Sequence, residues 1–159
     1  MVGRLYRVLS CTEYLEGKRH PVPALKLTLY NVIGERILGD QRVPIDTGYE
    51  GSIMLTSELY QAFQIAELPR ILWRNYRTLT GAITMRMARG IIEIDDMRFE
   101  CFVESPLFGK GKLLIGRELL NRLTIIMDGK RKQSCIGRLE AGNNPKKFNP
   151  QEDRLWDQI

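Results

Sequence analysis

The sequence predicts an all-β fold, and three observations support this prediction. Apolar and polar residues alternate in several short segments, which is the pattern of half-buried strands. Clusters of Gly, Pro, Asn and Asp separate these segments, as is typical of turns between strands. Only two segments, one after Thr56 and one after Gly116, have the pattern of a short helix. The sequence therefore predicts a β-barrel or β-sandwich with one or two short helices.

The same patterns give the order of the elements. Gly39 and Pro44 indicate that the strand containing them is irregular or bulged in its second half. Asp95-Asp96 and Asp128-Gly129 are predicted turns between strands, and Thr80-Gly81-Ala82 is the predicted tip of a hairpin. Helices are expected over residues 58–63 and 117–122, and strands over residues 4–10, 24–30, 36–45, 52–55, 71–79, 83–94, 98–104, 112–115, 124–127 and 133–136.

Length and composition predict one soluble domain. The chain has 159 residues, of which 43% are apolar and 27% are charged. We expect the domain at 1–138 and a polar, flexible tail at 139–159. No apolar run approaches the roughly 20 residues that span a bilayer, and the segment at 1–7 lacks the apolar core of a signal peptide. A cytoplasmic protein without a membrane partner is therefore expected. The net charge of +5 is compatible with nucleic acid or an acidic partner.

Cysteine and histidine usage excludes several chemistries. The three cysteines are widely spaced without a Cys-x-x-Cys pair, which argues against a disulfide framework and against a zinc site. Cys101 and Cys135 lie in apolar strand-like runs and are expected to be buried, inert thiols. The only histidine, His20, lies in a polar stretch and is expected to be exposed. Ser-His-Asp and Cys-His mechanisms are therefore disfavoured, and we predict no metal and no cofactor.

The segment from Ile45 to Ser52 contains the most informative motif, Asp46-Thr47-Gly48, at the end of a predicted strand. One interpretation is a simple turn, because Asp, Thr and Gly are common turn residues. The other is half of a catalytic pair. Two carboxyl groups about 3 Å apart cannot both ionise, so one keeps a proton as an acid while the other acts as a base. Apolar residues Val43 and Ile45 would desolvate such a pair.

A second segment, Leu113 to Leu123, joins an apolar strand, a glycine and an amphipathic turn. The sequence Ile-Gly-Arg-Glu-Leu-Leu-Asn within it follows Asp-Thr-Gly-Tyr-x-Gly in the order found in retropepsin-like aspartic proteases. The chain resembles the short prokaryotic branch of that family over roughly residues 24–137. A two-lobed pepsin would need a second Asp-Thr/Ser-Gly motif, and this chain contains only one.

The resemblance implies a single-lobe, closed β-barrel that is active as a homodimer. It implies an aspartic endopeptidase in which two copies of Asp46 share a proton and activate the water that hydrolyses a peptide bond. Thr47 would bond across the dimer axis and Gly48 would allow close backbone approach. By the same resemblance, the hairpin tip is a flap over bound peptide. The implied substrate-binding residues are Tyr49, Gly51, Thr80, Gly81 and Ala82, and the implied structural residues near the site are Ile115, Gly116 and Arg117.

The sequence departs from the retroviral pattern at three places. Tyr49 replaces a small residue, Glu118 replaces the usual Asp or Asn, and the flap contains only one glycine, Gly81. These departures concern the pocket and the motion of the flap more than the chemistry of the aspartate.

Two alternatives to a protease stay open. The segment 70–89 is rich in arginine, and no acidic residue lies between Leu68 and Ile92. A basic cleft could bind an acidic peptide or RNA, with Trp73 and Tyr76 stacking on bases, in a non-catalytic module of the same fold. The same segment is also compatible with a solvated strand whose aromatic residues pack inward. In the second alternative, the protein is a structural dimerisation domain and its Asp-Thr-Gly is only a turn. The arginines of the segment 70–89, on which the first alternative depends, are Arg70, Arg74, Arg77, Arg86 and Arg89.

Overall fold

The computed structural model describes residues 5–140, and strands dominate this part of the chain. The all-β prediction is confirmed. No helix among these residues has the length and apolar character needed to cross a membrane. Residues 1–4 and most of the predicted tail, from residue 141 onward, lie outside the described residues. The strands are β1 (Tyr6–Glu13), β2 (Ala24–Tyr30), β3 (Arg36–Pro44), β4 (Ile53–Met54), β5 (Arg74–Thr78), β6 (Gly81–Ile94), β7 (Met97–Pro106), β8 (Leu114–Ile115), β9 (Thr124–Asp128) and β10 (Gln133–Leu139).

The strands form two sheets. The larger has the order β3-β2-β6-β7-β4-β8, with β5 added as a further partner of β6. The smaller has the order β1-β10-β9 and is antiparallel throughout. Within residues 5–140 neither sheet closes on itself, since β3 and β8 end one sheet and β1 and β9 end the other. The predicted closed barrel is therefore wrong. The β8 edge is only two residues long, which leaves little backbone for a closing ladder.

Alternation along β2 builds the centre of the core. Leu25, Leu27 and Leu29 are fully buried, whereas Lys26 on the opposite face is exposed. They pack with buried residues of β4, β6, β7, β8 and the helices, including Ile53, Ile92, Val103, Ile115 and Leu119. The core therefore includes Ile115 and contacts Ile45, the residue before Asp46, so it supports both segments.

The irregularity predicted for the second half of the 36–45 strand lies earlier, around Leu38 to Asp40, and the second half of the strand is regular. The pairing of β2 with β3 shifts register on both sides of Leu29, opposite the region of Gly39 and Asp40. Asp40 has a φ of 48°, in the left-handed region that non-glycine residues seldom adopt. Beyond this bulge the pairing of β3 with β2 is regular through Pro44. The position of Asp46, two residues later, is therefore fixed relative to β2.

Two short helices follow the predicted positions. Helix α1 (Ser57–Tyr60) begins at Thr56, whose hydroxyl accepts the Leu59 amide at 3.4 Å, and continues as a 3₁₀ helix over Gln61–Ala66. A second 3₁₀ turn spans Arg70–Leu72. Helix α2 (Arg117–Leu120) begins directly after Gly116. The helices are short because each covers only one corner of the core.

The long hairpin of β6 and β7 turns at Asp95-Asp96, as predicted. The alternation predicted for residues 98–104 holds only at the start of β7. From Cys101 to Ser105 the strand is buried on both faces, because Cys101 and Val103 pack in the main core while Phe102 packs with Leu68 and Met87 in a second apolar cluster. This double burial encloses Glu104, an acidic residue that alternation alone would place outside the core.

The prediction for the cysteines is partly wrong. Strand β1 continues through Glu13, beyond the strand expected over residues 4–10, and pairs Cys11 with Cys135 across the small sheet. These two residues form a disulfide, so Cys135 is not a free thiol. Cys101 is the buried, free thiol that was expected, and burial raises the pKa of its thiol to about 12. His20 is exposed, as predicted.

Candidate active site

Asp46 lies in a tight loop that immediately follows β3. Its backbone amide donates to the carbonyl of Ile115 at 2.9 Å. Its side-chain oxygen Oδ1 accepts the amide of Gly48 at 2.9 Å, and its carbonyl accepts the amide of Tyr49 at 3.1 Å. The loop therefore is a turn held by the aspartate itself. The same bonds fix the direction of the Asp46 carboxylate, so a turn and a chemically active aspartate are compatible here.

The segment around Gly116 clamps this loop through its backbone. The amide of Gly116 donates to Ser52 and the amide of Arg117 donates to Tyr49, each at 2.8 Å. A Cβ at Gly116 would overlap the carbonyl of Gly51 and the ring of Tyr49, so only glycine fits this crossing. The structure thus brings together the two motifs singled out in the sequence, and each depends on the other for its conformation.

Arg117 makes an ion pair at the outer rim of the loop. Its Nη2 lies 2.9 Å from Oε1 of Glu50, and both side chains are about half exposed or more. Exposed pairs of this kind contribute about 0–1 kcal/mol. The pair therefore orients Glu50 more than it stabilises the fold.

A cleft of about 710 Å³ opens between the Asp46 loop and the hairpin of β5 and β6. It is lined by Asp46 and Gly48 of the loop and by residues 75–78 of β5. Asp46 is partly exposed to this space, whereas Thr47 is exposed on the outside of the loop. The lining residues are Asp46, Gly48, Tyr49, Glu50, Met54, Asn75, Tyr76, Arg77, Thr78, Ile83, Met85 and Leu114.

The predicted flap residues lie at the far end of this hairpin. Leu79-Thr80 makes the turn between β5 and β6, one position earlier than the tip expected at Thr80-Gly81-Ala82. Gly81 has a φ of 130°, which explains why the turn carries a glycine there. Thr80, Gly81 and Ala82 are exposed and do not line the cleft in this conformation. Their contact with a substrate remains a prediction that depends on closure of the hairpin.

The arginine-rich segment contributes less positive charge to the cleft than its sequence indicates. Arg74 pairs with Glu104 and Glu118, and Arg86 pairs with Glu67 at 2.7 Å. Arg77 is the arginine of this segment that lines the cleft.

The aromatic residues of this segment pack against protein groups. The indole of Trp73 donates to the carbonyl of Leu68 at 2.9 Å, and Arg70 and Arg86 lie over its ring at 5.8 and 5.9 Å. This favours the interpretation in which the aromatic residues support the hairpin.

No protein-family model and no curated protein matches the sequence. The solved structures that are similar to this chain include two proteases. One, EIAV protease complexed with the inhibitor HBY-793, has 13% identity and a TM-score of 0.44, with 68% of this chain and 93% of that chain covered. The other, a retropepsin-like aspartic protease from Rickettsia conorii, has 15% identity and a TM-score of 0.49, with 89% and 98% covered. The fold is similar to that of retropepsin-like aspartic proteases. At these identities the likeness concerns the fold alone, so residue roles here rest on the geometry of this chain.

A buried polar network behind the cleft was not predicted from the sequence. Its centre is Glu104 of β7, which is fully buried. The hydroxyl of Tyr49 donates to Oε2 of Glu104 in a short hydrogen bond, and the hydroxyl of Tyr76 lies 3.0 Å from the same oxygen. Arg74 Nη1 donates to Oε1 at 3.0 Å. A single carboxyl group therefore collects three donors from two separate parts of the chain.

Burial controls the proton affinities in this network. It raises the pKa of the Glu104 carboxyl, against the hydrogen bond from Tyr49 and the charge of Arg74, which lower it. Burial and the neighbouring Glu104 also raise the pKa of the Tyr49 and Tyr76 hydroxyls, so both remain protonated donors. The sequence feature that could have indicated this site is Glu104 itself, which directly follows the apolar residues Cys101, Phe102 and Val103.

Proposed function

We propose that this protein is an aspartic endopeptidase that acts as a homodimer, with Asp46 of each subunit forming the catalytic pair. The observation that carries the proposal is the placement of Asp46. Its carboxylate is held by the amide of Gly48 at the floor of an open cleft, on a loop clamped by Ile115 and Gly116. A turn that served only to reverse the chain would need neither the clamp nor the cleft.

The acidic residues that line the cleft support a second subunit. Within residues 5–140, Asp46 and Glu50 are the only acidic residues that line it, and Glu50 pairs with Arg117. One carboxylate cannot both take a proton from water and hold a proton for the substrate carbonyl. A second Asp46 across a two-fold axis supplies the missing group, and Thr47, exposed beside it, is available to bond across that axis.

The proposed reaction uses this pair in opposite protonation states. One carboxylate accepts a proton from water as the water attacks the peptide carbonyl, while the other donates its proton to the carbonyl oxygen. The pair titrates as a unit, because two close carboxyl groups share the first proton. The hairpin would close over the peptide, exclude bulk water and bring residues 80–82 to the substrate.

The experiment is cleavage of a peptide library across acidic to neutral pH by the wild-type protein and by Asp46→Asn. We expect wild-type cleavage that is lost in Asp46→Asn, while the variant keeps its secondary structure and its oligomeric state. Asp96→Asn is the matched control, since Asp96 is an exposed turn residue that pairs with Arg138 and lies outside the cleft. Equal cleavage by Asp46→Asn and by wild type would refute the assignment.

A non-catalytic binding module is the second candidate, and one observation favours it: the exposed Arg77 lines the cleft. In that case a peptide or RNA would bind with an affinity that falls with salt and that survives Asp46→Asn. Arg77→Gln would weaken such binding without altering the fold. Absence of proteolysis under every condition, together with salt-dependent binding, would select this candidate over the protease.

A further inference from the structure

Tyr49 and Tyr76 form one wall of the cleft, although they come from different elements. Tyr49 belongs to the Asp46 loop and Tyr76 to β5. Their ring centroids are 5.8 Å apart at an interplanar angle of 68°, an edge-to-face contact. Both hydroxyl groups point away from the open cleft and reach the carboxyl group of Glu104. The orientation of the whole aromatic wall is therefore set from behind by one buried residue.

The backbone beneath this wall has no room for a side chain. A Cβ on Gly51 would overlap the hydroxyl oxygen of Tyr49 and the carboxylate of Glu104. The glycine of Tyr-x-Gly thus has a physical explanation in the contact between Tyr49 and Glu104. It lets the hydroxyl and the carboxylate meet against the main chain.

A second set of contacts ties the same group to helix α2. Arg74 Nη1 lies 2.5 Å from Oε2 of Glu118, in addition to its bond with Glu104. The other oxygen of Glu118 accepts the hydroxyl of Ser52 at 3.0 Å. Tyr49 and Glu118, the two departures from the retroviral pattern near the aspartate, therefore meet in one network that also holds the base of the hairpin.

We infer that Glu104 is a positioning residue that fixes Tyr49 and Tyr76 as a rigid wall of the cleft and anchors the base of the hairpin to the Asp46 loop. Its effect on a substrate is indirect, through the two rings. Motion of the hairpin is then confined to residues 77–83, beyond the anchored Tyr76. The kinetic part of this inference rests on the proposed protease function, whereas the anchoring part does not.

The chemistry explains why a carboxyl group fits this position better than an amide. Its two oxygens accept from Tyr49, Tyr76 and Arg74 at once, and none of these three groups must turn away. A glutamine of the same shape has only one acceptor oxygen. Its amide NH2 group would face the groups that now donate to the second carboxyl oxygen. A tyrosine hydroxyl that faces the amide can only accept from it, so its own proton loses its acceptor in a buried position and the ring is held less firmly.

The first test compares Glu104→Gln with wild type in peptide cleavage. Because the rings contact bound peptide and do not take part in proton transfer, we expect KM to rise on the order of tenfold to a hundredfold. We expect kcat to change less than about threefold, since Asp46 is untouched. A purely structural role would lower the amount of folded enzyme and leave KM unchanged.

Glu67→Gln is the matched control. Glu67 accepts the hydroxyl of Tyr60 at 2.9 Å and pairs with Arg86, which is the same chemistry at a place outside the cleft. Its KM should equal that of wild type. Tyr76→Phe, which removes one hydroxyl from a half-buried ring, is the second variant if Glu104→Gln does not fold. Its effect on KM should be smaller and in the same direction.

The second test measures amide hydrogen exchange and needs no activity. In Glu104→Gln we expect peptides covering residues 73–79 to exchange on the order of tenfold faster, while peptides covering β9 and β10 exchange as in wild type. A folded Glu104→Gln variant with wild-type exchange and wild-type KM overturns the inference even if the protein is a protease. If the wild-type protein is inactive, the protease proposal fails. The hydrogen-exchange result then decides by itself whether Glu104 anchors the hairpin.

Discussion

The backbone amide of Asp46 donates a hydrogen bond to the carbonyl of Ile115, and this bond joins the two parts of the chain that the sequence marked as functional. It lies at the centre of a set of main-chain bonds between residues 46–52 and 115–118. Because these bonds involve backbone groups, they do not depend on the exposed side chains of Thr47 and Glu50.

Gly116→Ala should destabilise the protein by roughly 1–3 kcal/mol, because the added methyl group overlaps the carbonyl of Gly51 and the ring of Tyr49. Denaturant unfolding followed by circular dichroism measures this difference. Gly129→Ala is the control, since a Cβ at Gly129 meets nothing within 4 Å. An equal free energy of unfolding for Gly116→Ala and Gly129→Ala would show that the loop accommodates a methyl group between Gly116 and the Gly51 carbonyl.

Glu104 should make stability depend on pH in a defined direction. Burial raises the pKa of its carboxyl above the ordinary 4.5, although Tyr49, Tyr76 and Arg74 favour the charged form and Glu118 opposes it. The folded protein therefore binds this proton more tightly than the unfolded chain. The resulting stabilisation is complete below the ordinary pKa and is lost as pH rises through the raised pKa.

The measurement is the free energy of unfolding as a function of pH for wild type and Glu104→Gln at one protein concentration. We expect the advantage of wild type over the variant to shrink as pH rises from about 4.5, the ordinary carboxyl pKa. An advantage that grows with pH over this window would mean that the pKa is lowered in the folded protein.

The cysteines should differ in reactivity by their environment. Without reductant, we expect no reactive thiol in the folded protein, one after denaturation and three after reduction, because Cys11 and Cys135 are bonded and Cys101 is buried. Thiol-specific labelling followed by mass spectrometry counts them. Reduction should lower the free energy of unfolding by about 2–4 kcal/mol, because the bond closes a long loop. Three thiols in unreduced, unfolded protein would contradict the bond.

Much of the fold could be predicted because its determinants are local. The alternation of Leu25, Leu27 and Leu29 gave β2 with its observed bounds, and Asp95-Asp96 gave the turn of the long hairpin. The proximity of the Asp46 motif to the segment around Gly116 could be predicted only from the family resemblance. No local pattern in either segment specifies that contact.

The disulfide and the Glu104 network could not be predicted, for a related physical reason. Cys11 and Cys135 are 124 residues apart, and Tyr49 and Glu104 are 55 residues apart. Contacts over such separations leave no periodic pattern in either segment. The closed barrel was wrong because strand patterns give the number of strands but not which edges meet.

The central claim is that two copies of Asp46 form one catalytic pair, and subunit mixing tests it most directly. Wild-type and Asp46→Asn proteins are mixed in varied proportion at constant total concentration, allowed to exchange subunits, and assayed for peptide cleavage. Loss of general acid–base catalysis costs on the order of 10²–10⁴-fold, so mixed dimers should be inactive. We predict that activity falls as the square of the wild-type fraction. A linear fall would show that each chain works alone and would contradict a shared Asp46 pair.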